Sequence, residues 1–274
     1  MSSARCSRVR ELIKTYLGLV RSSALVALAY RGRVVIWFLT GFFPLLLMAV
    51  WLTVVAGNGP PRGWTVGNFV AYYVAAAVLW HLSGQHVVWD WDEDMRSGDR
   101  SVRLLRPVHP FHQYAANDLG YRAVSLAMLL PVLTLAAFLV PGVDYGLTLP
   151  RATAVAAAVL LAYVLSLLMA STFALVGFWS TQSTNLWMLW WGVGSFASGW
   201  IAPLELMPEW LRTAALVLPF RATMGFPIEL LMGRLNGSQV AWGFATGLAW
   251  IGVFTGTYRA GWRNGVGRYQ AVAG

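Results

Sequence analysis

Six long apolar runs, with little charge between most of them, constrain this chain more than any motif it carries. They cover residues 34–56, 67–89, 119–140, 152–178, 186–202 and 238–258. At 1.5 Å per helical residue, about 20 residues cross a hydrocarbon core of about 30 Å. No water reaches that core to pair backbone N–H and C=O groups, so runs of this length must be helical. Composition agrees: 58% of residues are hydrophobic and only 11% charged, against about 25% charged in soluble domains. Fifteen tryptophans and ten tyrosines suit a protein anchored at bilayer interfaces. The expected fold is an all-α membrane protein with six transmembrane helices, the first kinked at Pro44.

Charge sets the orientation. Seven basic residues (Arg5, Arg8, Arg10, Lys14, Arg21, Arg31 and Arg33) precede the first run, with Leu12, Tyr16, Leu19, Val20, Val26 and Ala27 at helical spacing among them. Residues 1–33 therefore read as a basic amphipathic helix along the inner membrane surface. The stretch is too long for a signal-peptide n-region, and no A-x-A site follows its first apolar run. Six spans put both termini on one side. That side takes fifteen of the twenty basic residues; the other takes Arg62, Arg151, Arg212, Arg221 and Arg234. The positive-inside rule places both ends in the cytoplasm, with the chain in the cytoplasmic membrane. The net charge of +9 sits at the ends of apolar runs, not on an aromatic-studded soluble face. Nucleic acid is therefore not an expected partner, and membrane lipids are. Cys6 has no second cysteine for a disulfide or a zinc site.

The one long polar insert, residues 90–118, holds six of the eleven carboxylates (Asp90, Asp92, Glu93, Asp94, Asp99 and Asp118) and four arginines (Arg96, Arg100, Arg103 and Arg106). Its centre reads as a short helix. Ser97 or Asp99 can cap its start, Leu104 and Leu105 form an apolar knob, and Pro107 stops it. One reading is a solvated loop between spans; the other is a surface that presses into another protein. The run Arg96-Ser97-Gly98-Asp99, followed by Leu104-Leu105-Arg106-Pro107-Val108-His109-Pro110, resembles the cytoplasmic loop of type-2 permeases of ATP-binding-cassette (ABC) transporters, in their drug-exporter-like branch. The resemblance extends over nearly the whole chain. It implies that residues 1–33 form a connecting helix and that residues 34–274 form the transmembrane domain. The 90–118 loop would then carry a coupling helix docked on a separate ATPase.

Residues 203–237 are broken by Pro203, Pro208, Pro219 and Pro227 into apolar pieces too short to span, which suits re-entrant or interfacial backbone. The stretch is similar to the segment before the last span of type-2 exporters. On that resemblance Pro203, Leu204, Pro208, Pro219 and Phe220 belong to an outer gate. Trp80, Trp187, Trp190, Trp191 and Phe196 form interfacial belts or core in one reading, and in the other line a substrate pathway for a flat, apolar or cationic cargo. Gly243, Gly247, Gly252 and Gly256 stand four apart in pairs in the last run and allow close helix packing, within the bundle or across a dimer seam.

Catalytic chemistry is not legible. The single lysine, Lys14, is not in a phosphate-cradling G-x-x-x-x-G-K-[ST] run. No Ser/His/Asp or Cys/His set stands in a plausible context, and no cofactor is expected in this chain. His86, Asp90 and Asp94 fall at four-residue spacing, a helical face that a metal or a basic partner could use. The resemblance implies two copies of an ABC ATPase as partners, holding the ATP and Mg, and a second permease chain, identical or related. It implies export of a drug-like or hydrophobic substrate; lipid or polysaccharide export is the alternative cargo. Ion-coupled transport is the rival mechanism. It usually needs ionisable groups near the bilayer midplane, and His81 and His86 are nearly all the spans offer.

Overall fold

The computed structural model describes residues 2–61, 63–139, 145–180 and 182–272, and among them every regular element is helical. The side chains of Arg5, Cys6, Arg8, Arg10, Leu12, Arg31, Arg33, Arg62, Arg100 and Arg268 lie outside the described residues. Helix α1 (Ser2–Ala29) leads into α2 (Arg31–Thr40) and α3 (Phe43–Asn58). Pro44 does not kink a continuous helix, as the sequence predicts. The helix breaks at Gly41 and Phe42, and Pro44 sits in the first turn of α3, where its missing N–H does no harm. Gly41 explains the position of the break: a Cβ there would stand 2.3 Å from the His81 ring.

Thr65 and Asn68 form a reciprocal capping box that starts α4 (Val66–Ser83). After a break at residues 84–86 the chain continues as α5 (Val87–Ser97), then α6 (Asp99–Leu105) and α7 (Pro110–Leu139). The polar insert is thus mostly helical rather than a loop. Gly98, at φ 80°, makes the turn between α5 and α6 and takes the N-cap position expected of Ser97 or Asp99. Ser97 Oγ still accepts the Asp99 N–H at 3.4 Å. Helix α6 ends just before Pro107 as expected, because a residue preceding proline is driven out of the helical region: Arg106 has ψ 143°.

Helix α8 (Leu149–Ala174) runs into a 3₁₀ turn, Leu175–Phe178. It is the hub, with 61% of its apolar window buried, against 22% in the first span and 17% in the last. Ala158, Ala162 and Ala170 are fully buried on it, small enough to let neighbours close in. Helix α9 (Ser183–Ala197) has only 15 residues, about 22 Å of helix, so the 186–202 run is divided between it and the bend that follows. A 3₁₀ turn (Leu204–Leu206), α10 (Glu209–Ala215), α11 (Phe220–Thr223) and α12 (Gly225–Leu231) follow, before α13 (Gly237–Val272). Arg259 and Arg263, expected in a tail, ride on α13.

Among the described residues four helical units are long and apolar enough to cross a membrane: Val34–Asn58, Val66–Ser97, Leu149–Phe178 and Gly237–Gly267. The 119–140 run lies in α7 and ends outside the described residues. The chain is a multi-pass membrane protein. Helix α1 runs beside the first half of α7, where Ser23 Oγ donates to Asn117 Oδ1 at 2.6 Å. A Cβ on Gly120 would stand 2.8 Å from the Val20 carbonyl oxygen, so only glycine permits that approach.

Broken backbone inside a bilayer protein must find internal partners. At the bend after α9, Tyr72 Oη donates to the Gly199 carbonyl at 2.7 Å, and Tyr73 Oη and Trp51 Nε1 donate to the Ile201 carbonyl at 2.8 and 3.1 Å. Gly199, at φ 87°, turns the chain there.

Candidate functional site

A cavity of about 1120 Å³ lies between the α2–α3 break, the α4–α5 break, α9 and α11. Trp80, Trp187, Trp190 and Trp191 line it, joined by Trp200 and Trp37. The rings form one surface: Trp191 is 6.0 Å from Trp80 and 5.2 Å from Trp200, and Trp190 is 4.6 Å from Phe220. Trp187, Trp190, Trp191 and Gly194 share one face of α9 by helical period. Phe196, expected on the same path, falls off that face and is 52% exposed on the outside. No Asp, Glu, Lys or Arg lines the cavity; His86 is its titratable side chain. Gln85 Oε1 and the indole N–H groups of Trp190 and Trp200 have no hydrogen-bond partner among the described residues.

One arginine secures the base of this cavity. The 84–86 break frees carbonyls at the end of α4, and Arg122 of α7 fills them. Its Nη1 donates to the His81 carbonyl at 3.0 Å and its Nη2 to the Gly84 carbonyl. Asp118, one turn back, accepts from Nε at 2.8 Å, and the guanidinium lies over the Tyr163 ring. Both side chains are buried, so Arg122 is held inside rather than reaching out to an interface. His81 is structural as well, its ring nitrogens 2.8 Å from the Ala77 carbonyl and 3.2 Å from that of Phe38.

Below the break, α5 and α6 form a hairpin stiffened from within. Asp94, which reads in sequence as an exposed acid, is buried: Arg103 Nε meets it at 2.6 Å and Tyr114 Oη donates to it at 2.5 Å. Arg103 also lies over the Tyr114 ring. Gln113 Nε2 donates to the Arg103 and Val108 carbonyls at 2.9 and 2.7 Å, tying the end of α6 to α7. Arg96 pairs with Asp92 on the surface at 2.6 Å, and Asp99 accepts from Ser97 Oγ. Arg106 makes only a long 3.4 Å contact to Gln113. Leu104 is half-buried; Leu105 is 86% exposed, with Val102 beside it at 54%. Of the residues expected at a docking surface, Arg103 is thus engaged inside the chain, while Leu105 and Arg106 project outward. The His86 ring packs against Trp37. Among the described residues no His, Cys, Asp and Glu side chains group as metal ligands.

Residues 36–273 match the family model described as "ABC-2 family transporter protein". The chain belongs to the ABC-2 transporter family. No curated protein and no solved structure matches it. ABC-2 permeases are the membrane components of ABC transporters, and membership implies association with an ABC ATPase subunit.

In this ABC-2 permease each proline of the 203–237 segment falls at or near the start of a short helix. Pro203 precedes the 3₁₀ turn, Pro208 and Pro219 cap α10 and α11, and Pro227 is in the first turn of α12. Leu204 and Phe220 are buried in one cluster with Ala197 and Ala215; Pro208 is exposed. Phe220, read in sequence as gate alone, also lines the cavity, its ring held flat on Gly194, where a Cβ would stand 2.5 Å away. The glycine pairs of the last helix separate. Gly243 and Gly247 lie against Phe226 and Leu161 within the bundle, whereas Gly252 and Gly256 face open space.

Proposed function

We propose that this permease is the membrane subunit of an ABC exporter for a drug-like or hydrophobic substrate, driven by ATP hydrolysed on separate ATPase chains. The observation that carries the reading is that one helix, α5, belongs to two things at once. His86 at its N-cap and Trp89 on its first turn line the aromatic cavity, and its other end carries the hairpin with the exposed Leu105. A push on the hairpin is therefore delivered to the cavity wall by a rigid lever pivoting at residues 84–86. In this reading α7 and α9 complete six spans, both termini are cytoplasmic, and α6 is the coupling helix. Leu104 and Leu105 seat in the ATPase, with Arg100 and Arg106 beside them, and Arg103 fixes the hairpin that presents them. Two permease chains, identical or related, meet two ATPases. The cavity suits cargo that stacks on tryptophan and brings little charge with it.

The test is transport in vesicles carrying the complete complex. Replacing Leu104 and Leu105 together by aspartate is expected to abolish ATP-dependent movement of a hydrophobic dye while the chain stays in the membrane. Wild-type transport by that variant would overturn the docking role. Transport by the wild-type complex that stops when proton and sodium gradients are collapsed with ATP maintained would overturn ATP-driven export itself.

A further inference from the structure

A second pocket, of about 420 Å³, lies at the end of the bundle opposite the α5–α6 hairpin. Its place is fixed by the tie between the turn that starts α4 and the segment after α9. Glu205 accepts from Trp64 Nε1 at 2.9 Å and pairs with Arg234 at 2.7 Å, and Arg234 lies 4.0 Å over the Trp64 ring. In contrast to the aromatic cavity, this pocket is lined by three arginines, Arg212, Arg221 and Arg234, and two carboxylates, Glu205 and Glu229. Both carboxylates are already answered, Glu205 by Arg234 and Glu229 by Arg221 at 2.5 Å.

The Arg212 side chain makes no hydrogen bond or ion pair among the described residues, although its charge is felt by Glu229; with three arginines to two carboxylates the pocket keeps one excess positive charge. Arg221 is buried to 6% exposure, and among the described residues its side-chain hydrogen bond goes to Glu229 alone, from one of a guanidinium's five N–H groups. The rim has a different chemistry. Leu216, one turn beyond Arg212, and Trp242 line the mouth and are themselves exposed, with Val217 and the 72% exposed Trp210 close by in sequence. Arginine charge set beside exposed apolar and tryptophan side chains matches an amphiphile with an anionic head and acyl chains.

We propose that this pocket holds the phosphate headgroup of an anionic phospholipid from the leaflet opposite the hairpin, with Arg212 as the principal contact and the acyl chains against Leu216 and Trp242. The site does not depend on the export reading, and its test involves no transport. The full-length chain in neutral detergent is titrated with phosphatidylglycerol and, separately, with phosphatidylcholine of the same chains, and bound lipid is counted by native mass spectrometry. Arg212→Gln is expected to weaken phosphatidylglycerol binding about fivefold, the worth of one basic residue near an anionic headgroup. Phosphatidylcholine binding should be unchanged, and Arg212→Lys should recover most of the loss. Arg212 is exposed, so both variants should elute and melt as the wild type does. Equal binding of the two lipids by the wild type, or an Arg212→Gln chain that holds phosphatidylglycerol as tightly as the parent, would overturn the assignment. Inorganic phosphate separates the two sources of the same chemistry. If millimolar phosphate displaces phosphatidylglycerol, the site takes a soluble anion and the lipid assignment fails.

Discussion

At the hairpin end of the cavity Arg122 faces Asp118; at the opposite end Arg221 faces Glu229. Both pairs are buried, yet they are built differently. Arg122 holds a carboxylate and two backbone carbonyls at once, and those carbonyls are the ones the α4–α5 break leaves bare. Arg221 holds one carboxylate, rests 5.7 Å over the Phe226 ring, and opens onto a polar pocket. The first pair is a clamp on broken backbone; the second is a charged wall beside solvent. Under the proposed lever mechanism the hinge must hold at one end while the other end rearranges, and the two arginines divide along that line.

The sharpest way to break this contrast is Arg122→Ala. Removing one partner of a buried pair typically costs about 3–5 kcal/mol, and here two carbonyls lose their donor as well. Thermal unfolding in detergent should show the largest loss of any single replacement in the spans. Arg122→Lys should fail to rescue it, because one ammonium cannot reach Asp118, the His81 carbonyl and the Gly84 carbonyl together. A variant as stable as the parent would mean that the break is held by other contacts.

The next effect strains the opposite end from behind. Phe226 is sandwiched between Arg221 and Gly243, where a Cβ would stand 2.2 Å from the ring. Gly243→Leu should therefore destabilise the chain by about 1–3 kcal/mol, the usual range for overpacking, and disturb the Arg221 pair. Gly252→Leu, facing open space, should leave the unfolding temperature unchanged; if it alters the oligomeric state instead, the dimer seam runs along that half of α13. A smaller effect is expected from Arg221→Gln, about 1–2 kcal/mol, because the Glu229 carboxylate it abandons can take donors from the pocket. Should Arg221→Gln prove as damaging as Arg122→Ala, the division between clamp and wall is wrong.

What the sequence made legible follows from what it averages. The apolar runs and the stop at Pro107 could be read, because hydropathy and proline act locally. The break at Gly84 could not. It lies inside the continuous run 67–89, and only Arg122, about forty residues away, makes it affordable. Arg122 and Asp94 are each held inside by groups that chain order hides, the His81 and Gly84 carbonyls for the one and Arg103 and Tyr114 for the other. The tryptophans of α9 were legible as a set. Helical period alone would have excluded Phe196, since 187, 190, 191 and 194 fall on one face and 196 does not. Trp37 and Trp200 come to the cavity from other elements, and nothing local marks them.

The smallest effect belongs to pH and to the hairpin end. His109, between α6 and α7, lies 4.4 Å from the Trp262 ring of α13, and with Phe111 and Tyr258 it clasps the hairpin to the last helix. Burial, and then the neighbouring His112, hold its pKa below the ordinary histidine value. The folded state therefore binds this proton less readily than the unfolded chain does. The clasp contributes fully above about pH 6.5, the unfolded value, and that contribution is lost as pH falls from there through the lowered folded value. Unfolding temperature should decline modestly over that window, and His109→Phe, which keeps the ring but not the proton, should flatten the decline. A decline that survives in His109→Phe would assign it to other groups and leave the clasp a matter of packing alone.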